Sequence, residues 1–311
     1  MTTPDTAPDA AYAAVDWGTS SFRLWLVGRD GGVIAERRSG EGMTTAARTG
    51  FAAVLQGHLA AVSAPADLPA LICGMAGAKQ GWVEAGYLDT PAALTDIPAA
   101  AVRIPGVSAD IRILPGLAQR DAAAPDVMRG EETQLLGAAG ALGDGDHLVC
   151  MPGTHSKWVR LSGGKVAGFS TFMTGELFEA IAKNTILSHA IAEAGPVAGD
   201  NAAFHAAVTR MVANPALATS QIFSVRAGSL IAGLSPVDAK ARLSGTLIGL
   251  EIAGALSLVA EGTPVALVVS GGLGALYKDA LAAAGISPSV IDADAAVRNG
   301  LAAGARALWS L

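Results

Sequence analysis

The sequence predicts an α/β protein built from two copies of one strand-rich unit, on three observations. Strand and helix signals alternate along the whole chain. A strand, a Gly-Thr turn and a returning strand occur twice, as "VDWGTSSFRLWLV" from Val15 and as "HLVCMPGTHSKWVRL" from His147. Each pair is followed by a further strand, so the repeated piece is three strands long.

"AYAAVDW", "FRLWLVG" and "GVIAERRS" read as three successive strands, with Asp30-Gly31-Gly32 as the hairpin signal before the third. A helix follows over about Thr49–Val62, then a buried strand over Ala70–Met75 and another over Asp110–Gly116. Gly130–Leu142 carries two acids ahead of a run of apolar residues, which is the charge placement a helix N-terminus favours. The second three-strand piece ends in "GKVAGFSTFM", and beyond Gly175 the chain turns helical to about Glu261. Thr263–Ile286 then reads as an apolar strand, a Ser-Gly-Gly turn and a helix. A short strand near Ser289–Ile291 precedes a final helix over Asp294–Leu311. The expected division is a loose, disordered tail over 1–10, a first half over 11–125, and a second over 126–311 with a helical insertion at about 196–238.

Composition narrows the classes of function. With 51% hydrophobic and 15% charged residues among 311, the chain can bury a large core. The net charge is −6 and no basic block stands out, which argues against nucleic acid or an anionic membrane surface as partner. Cys73 and Cys150 sit far apart in apolar runs and read as buried thiols, and there is no Cys/His spacing for zinc. The polar, proline-bearing start "MTTPDTAPDA" is unlike a signal peptide, and the apolar runs are too interrupted to span a membrane. Cytoplasmic location is the expectation.

Three glycine turns follow apolar strands: Asp16–Ser21, Pro152–Lys157 and Ser270–Gly274. Glycine lets backbone N–H groups approach phosphate oxygens closely. Two such hairpin turns facing each other could hold a triphosphate, and the third, opening a helix, could take the adenosine end. Asp16 would hold Mg2+, in part through water. Taken singly, each turn is also explained as a good turn and nothing more. No Walker loop exists, and "SGGLGAL" falls short of a dinucleotide fingerprint.

This arrangement resembles the actin-like ATPase and sugar kinase superfamily, which implies two ribonuclease-H-like domains with ATP between them. In that comparison Asp16, Gly18, Thr19 and Ser20 belong to the first phosphate motif, and Gly153, Thr154, His155, Ser156 and Lys157 to the second. Ser270, Gly271 and Gly272 belong to the adenosine motif. Met151-Pro152 stands where the second motif often has an acid, which leaves the metal mainly to Asp16. The blocks "CGMAGAKQGWVEAGY", "MRGEETQLLG", "MPGTHSKWV" and "FSTFMTGELFEAI" further resemble the bacterial 2-dehydro-3-deoxygalactonokinase family. The resemblance spans Val15 to the C-terminal helix and implies ATP-dependent phosphorylation of 2-dehydro-3-deoxygalactonate at its terminal hydroxyl, with the gluconate-derived epimer as substrate or a non-catalytic nucleotide or sugar sensor as the alternatives.

Phosphoryl transfer to a hydroxyl needs a carboxylate to take the alcohol proton. "RGEET" offers Glu131 and Glu132 at a helix start. The preceding glycine favours Glu131 by analogy with similar sugar kinases, although both could be ordinary first-turn acids. The substrate's own carboxylate calls for a cation. Lys79 and Arg129 are the candidates, with Gln80 and Trp82 to meet sugar hydroxyls and an apolar edge. Thr174 could be a helix cap and Glu176 could line the cleft. His155 is read as an orienting hydrogen-bond donor. The Ala-rich insertion could bury a face against a second copy, making a homodimer, or pack on its own lobe.

Overall fold

The computed structural model describes residues 9–311. The first eight residues of the expected tail lie outside the described residues, and Ala10 already opens a strand. Two compact units divide the chain. Unit 1 takes the chain up to Gly143 with Gly164–Ala167 and Ala293–Leu311, and unit 2 takes Asp144–Gly163 and Gly168–Asp292.

In unit 1, β1 (Ala10–Trp17), β2 (Phe22–Gly28) and β3 (Val33–Ser39) form an antiparallel run. Helices α1 (Met43–Thr49) and α2 (Phe51–Ala61) lead to β4 (Ala70–Gly74), which pairs parallel with β1. Short strands β5 (Tyr87–Asp89), β6 (Ala92–Ala93) and β7 (Val102–Arg103) precede β8 (Ile111–Ile113), which pairs parallel with β4. The sheet order is β3-β2-β1-β4-β8-β7. β1 is apolar on both faces because it is central, whereas β3, "VIAERRS", is an exposed edge whose charges discourage further pairing. A small sheet of β5, β9 (Gly116–Gln119) and β10 (Asp126–Met128) leads into α3 (Glu131–Leu142).

Unit 2 repeats the plan. β11 (Asp146–Met151), β12 (Ser156–Ser162) and β13 (Lys165–Phe172) are followed by the helices α4 (Thr174–Asn184), α5 (Ser188–Ile191), α6 (Ala202–Ala213), α7 (Ala218–Ile231) and α8 (Pro236–Leu256). β14 (Val265–Val269) then pairs parallel with β11, α9 (Gly272–Ala283) follows, and β15 (Ser289–Asp292) pairs parallel with β14. The last helix, α10 (Ala293–Trp309), belongs to unit 1. The order β13-β12-β11-β14-β15 matches β3-β2-β1-β4-β8 strand for strand, with the central strand antiparallel to one neighbour and two parallel pairings on its other side. The duplicated ribonuclease-H-like fold expected from the sequence is therefore present. One buried cluster gathers around Trp17, Phe22 and Ile72, another around Trp158, Leu267 and Tyr277, and a further one around Leu187, Val225 and Leu243.

The helix expected over about 49–62 is α2, and α1 before it was not expected. Gly50, at φ 94°, ends α1 and starts α2, and the threonines of "MTTAART" hide the first helix from a periodicity reading. The two- to four-residue strands β5, β6, β7, β9 and β10 are too short for any pattern to announce.

Helices α3 and α10 touch backbone to backbone. A methyl on Gly137 would overlap the Ala296 carbonyl, and one on Gly300 would overlap the Thr133 carbonyl. Gly137→Ala should therefore destabilise the protein by about 1–3 kcal/mol in spite of alanine's better helix propensity. Gly140, on the same helix, faces open space. Gly140→Ala should gain about 0.5–1 kcal/mol. Urea denaturation of the two variants gives the comparison.

Candidate active site

In unit 1, β1 ends on Asp16 and Trp17 before the Gly18–Ser21 turn, which closes with the Gly18 N–H donating to the Ser21 carbonyl at 2.9 Å. The turn is braced from behind by the start of α1. The N–H groups of Met43 and Thr44 donate to the carbonyls of Gly18 (2.9 Å) and Thr19 (3.1 Å). Gly42 lies so close that a Cβ would stand 2.5 Å from the Ser21 nitrogen. Trp17 Nε1 donates to the Glu41 carbonyl at 3.1 Å, tying the same loop to the strand. With its back fixed, the turn presents Thr19 and Ser20 to solvent.

Asp16 pairs in register with Cys73 on β4, whose Sγ lies 3.9 Å from Oδ1. Burial pushes the Asp16 carboxyl above its ordinary range, Arg23 opposes this, and the charges of Asp294 and Glu131 add to it. Arg23, opposite Asp16 in the β1–β2 register, is ion-paired with Asp294 at the start of α10, and Arg38 reaches the other oxygen at 3.1 Å. Burial works against ionising Asp294, but the two arginines outweigh it and its pKa ends below normal.

α3 begins beside this strand end. Gly130, at φ 105°, precedes it, and a Cβ there would sit 3.6 Å from the Gly74 Cα. Glu131 and Glu132 are adjacent but differently placed. Glu131 is half-buried, with Oε2 accepting from the Arg129 N–H at 3.1 Å. Glu132 is fully buried, accepting from the Gly130 N–H at 2.6 Å and the Thr133 hydroxyl at 3.0 Å. Burial, then the charge of Glu131, pushes its pKa up to about 8.

Arg129 holds its guanidinium 4.5 Å from the Tyr87 ring centroid, and Nη2 donates to the Gly86 carbonyl at 2.8 Å. Nε and Nη1 are buried without an acceptor. Gly77 makes room for this group, since a Cβ there would be 2.9 Å from Nη1. Trp82 stacks on Phe51 (6.1 Å between centroids) and meets Trp17 edge-on at 6.2 Å, while Lys79 and Gln80 are exposed.

Unit 2 carries the other two turns. Gly153 and Thr154 abut α4: the Glu176 N–H donates to the Thr154 carbonyl at 3.2 Å, and a Cβ on Gly175 would be 2.9 Å from the Gly153 oxygen. His155 is exposed, with Nε2 2.5 Å from Glu176 Oε2. Ser156 and Lys157 are buried within β12. Gly271, at φ 68°, turns β14 into α9, and Ser270 Oγ lies 3.4 Å from Asp292. A cavity of about 480 Å³ opens between these elements. Gly153, Thr154, Thr174, Gly175 and Gly272 are among its lining residues, and Pro196, Val197, Leu247, Ile248, Leu273 and Leu276 give it apolar walls. Backbone donors at two helix starts, joined to an apolar slot, suit a phosphate chain bearing a flat base.

Asp294, Glu41 and the α8 wall of the cavity were absent from the residues read as functional. Arg23 and Asp294 are 271 positions apart, and no local signal links them.

The repeated unit, its strand-end carboxylate and its glycine turns define an actin-like ATPase/sugar kinase fold. Residues 16–303 match the family described as 2-keto-3-deoxy-galactonokinase, and the chain belongs to that family. It is 68% identical over 300 residues to a Rhizobium meliloti (strain 1021) protein assigned as a 2-dehydro-3-deoxygalactonokinase, covering 96% of this chain and 98% of that one. It is 35% identical over 294 residues to the 2-dehydro-3-deoxygalactonokinase of Escherichia coli (strain K12), covering 94% and 96%. A crystal structure of a Sinorhizobium meliloti protein given the same assignment superposes with a TM-score of 0.94 at 68% identity, over 96% of this chain and all of that one.

The neutral state of Glu132 has a measurable consequence. Its folded pKa lies above the ordinary carboxyl value of 4.5, so the unfolded chain loses this proton first as pH rises. Glu132 thus subtracts stability progressively from about pH 4.5 to about pH 8. Glu132→Gln keeps the shape and cannot ionise, so its Tm should improve relative to wild type as pH is raised through that window. A constant Tm difference would mean that Glu132 is charged when folded.

Proposed function

We propose that the protein transfers the γ-phosphoryl group of ATP to the terminal hydroxyl of 2-dehydro-3-deoxygalactonate. Family membership supports the reaction. The observation that carries the acidic acceptor is Arg129, whose two acceptor-less buried nitrogens sit two residues before Glu131. A substrate carboxylate would supply the missing acceptor through charge-assisted hydrogen bonds. In this reading unit 1 takes the sugar acid, with Trp82 covering its apolar edge and Lys79 and Gln80 at its rim. Unit 2 takes ATP, with the phosphates on Gly153, Thr154 and Gly272 and the adenosine in the apolar slot.

Glu131 is the base in this assignment, because Glu132 has both oxygens engaged and no exposure. The sugar oxygen forms a bond to the γ-phosphorus as the bond to the β–γ bridging oxygen breaks. ADP leaves, and the hydroxyl proton passes to a Glu131 oxygen. The Asp16 carboxylate, crowded by other carboxylates, fits a hard cation such as Mg2+. No group of three or more metal-ligating side chains occurs among the described residues, so phosphate and water oxygens would complete its shell. When bound, Mg2+ neutralises charge on the phosphate oxygens. Arg23, held by Asp294, opposes the rise that burial imposes on the Asp16 carboxyl.

A homodimer and a cytoplasmic site of action belong to the same reading. The exposed Phe223, Leu230 and Ile231 of α7 support the first, and the family's metabolic role supports the second. Among the described residues no helix is long and apolar enough to cross a membrane.

Steady-state ADP release tests the assignments. Glu131→Gln should lower kcat by about 10²-fold or more, and Asp16→Asn should do so with the fold intact. Glu132→Gln should retain most turnover. Arg129→Met should raise KM for the sugar acid by about 10–100-fold, the loss of one charged hydrogen bond, and leave KM for ATP alone. Equal effects of Glu131→Gln and Glu132→Gln would remove Glu131 as the base.

A further inference from the structure

The unit 2 cavity has a carboxylate beneath it that the reaction does not use. Glu251, on α8, is 1% exposed and lies one turn beyond Leu247 and Ile248, which line the cavity. It is surrounded by donors. Trp158 Nε1 of β12 donates to Oε1 at 2.8 Å, and the Tyr277 hydroxyl of α9 donates to Oε2 at 2.9 Å. Side-chain hydrogen bonds from Thr174, at the start of α4, and from Ser156, the first residue of β12, complete the set. Ser156 Oγ is also 3.0 Å from the Tyr277 hydroxyl.

Two of these partners, Thr174 and Tyr277, line the cavity themselves, and the other two, Ser156 and Trp158, belong to β12. Ser156 follows the second phosphate turn. Thr174 precedes Gly175, whose backbone packs on Gly153 and Thr154. Tyr277 stands one turn along α9 from Leu273. A carboxylate can accept from all four donors at once, whereas an apolar residue of the same size would leave them buried and unpaired. Burial raises the Glu251 pKa while the four hydrogen bonds favour its charged form.

We propose that Glu251 is the positioning residue of the nucleotide site, fixing the second phosphate turn, the start of α4 and α9 at the spacing that ATP requires. The proposal rests on the reading of this cavity as the place where ATP binds. Glu251 touches no substrate and acts through Ser156, Thr174 and Tyr277. An amide in its place accepts fewer hydrogen bonds and adds two donors of its own, so the walls should re-space while the core stays filled.

The experiment is steady-state kinetics with both substrates varied, together with Tm, for Glu251→Gln, Trp158→Phe and Tyr277→Phe. Glu251→Gln should raise KM for ATP by about tenfold, equivalent to one charged hydrogen bond, with KM for the sugar acid within twofold of wild type. Trp158→Phe and Tyr277→Phe each delete one donor and should shift KM for ATP in the same direction by less. A lower Tm with both KM values unchanged would make Glu251 a stabilising group only and overturn the proposal. If Glu251→Gln does not fold, the other two variants decide, and unchanged KM for ATP in both overturns it. Leu276→Trp, which fills the cavity, separates this from failure of the site reading. If Leu276→Trp leaves KM for ATP unaltered, ATP binds elsewhere and both fall. If it abolishes ATP binding while the Glu251 series has no effect, only the positioning role falls.

Discussion

Crowding of negative charge at the end of β1 is the constraint on which unit 1 depends. Asp16, Glu131 and Asp294 bear on that point, and Glu132 lies fully buried beside Glu131. Unbalanced carboxylates at low dielectric lose their protons reluctantly, and the structure distributes the problem unequally. Asp294 is held ionised by two arginines, Glu132 keeps its proton near neutrality, and Asp16 is left between. A site arranged this way gains from a cation arriving with an anionic ligand, because the ion relieves the crowding that the fold imposes. The same logic explains Arg129, a buried cation of opposite need.

Close backbone approach is the second requirement, and glycine meets it in both units. Gly42 and Gly175 occupy equivalent places behind the two Gly-Thr turns, each admitting a helix start against the turn without a Cβ between them. Gly137 and Gly300 let α3 lie directly on α10, and this packing carries Glu131 and Asp294 at the two helix starts. The turns themselves need little intrinsic rigidity because their surroundings immobilise them. Unit 2 adds a polar lock under its turn through Glu251, where unit 1 uses the Trp17–Glu41 contact.

Much of this was legible in the chain. The two strand–Gly-Thr–strand pieces gave away the duplication because their strands are long, apolar and flanked by glycine. Asp16 and the glycine turns could be read because their neighbours in sequence are also their neighbours in space. Glu131 and Glu132 could not be told apart for the opposite reason. Successive helix residues differ by about 100° in direction, and only the packing of α3 decides which of the two is buried. Glu251 looks like any acid in a helix until β12, α4 and α9 converge on it. Ser156 and Lys157, read as ligands from their place in a motif, lie inside β12 because the strand takes in the last two residues of the expected turn.

The central claim is that an acidic acceptor, held by unit 1, takes the phosphoryl group of ATP. Its most direct test is initial-rate ADP release with Mg2+ and ATP against 2-keto-3-deoxygalactonate, its gluconate-derived epimer, galactonate and glucose. The account predicts release with the first compound at a kcat/KM well above that with the epimer, and none above background with glucose. Release with glucose equal to that with the keto acid, or no acceptor-dependent release from a protein that binds ATP, would contradict it.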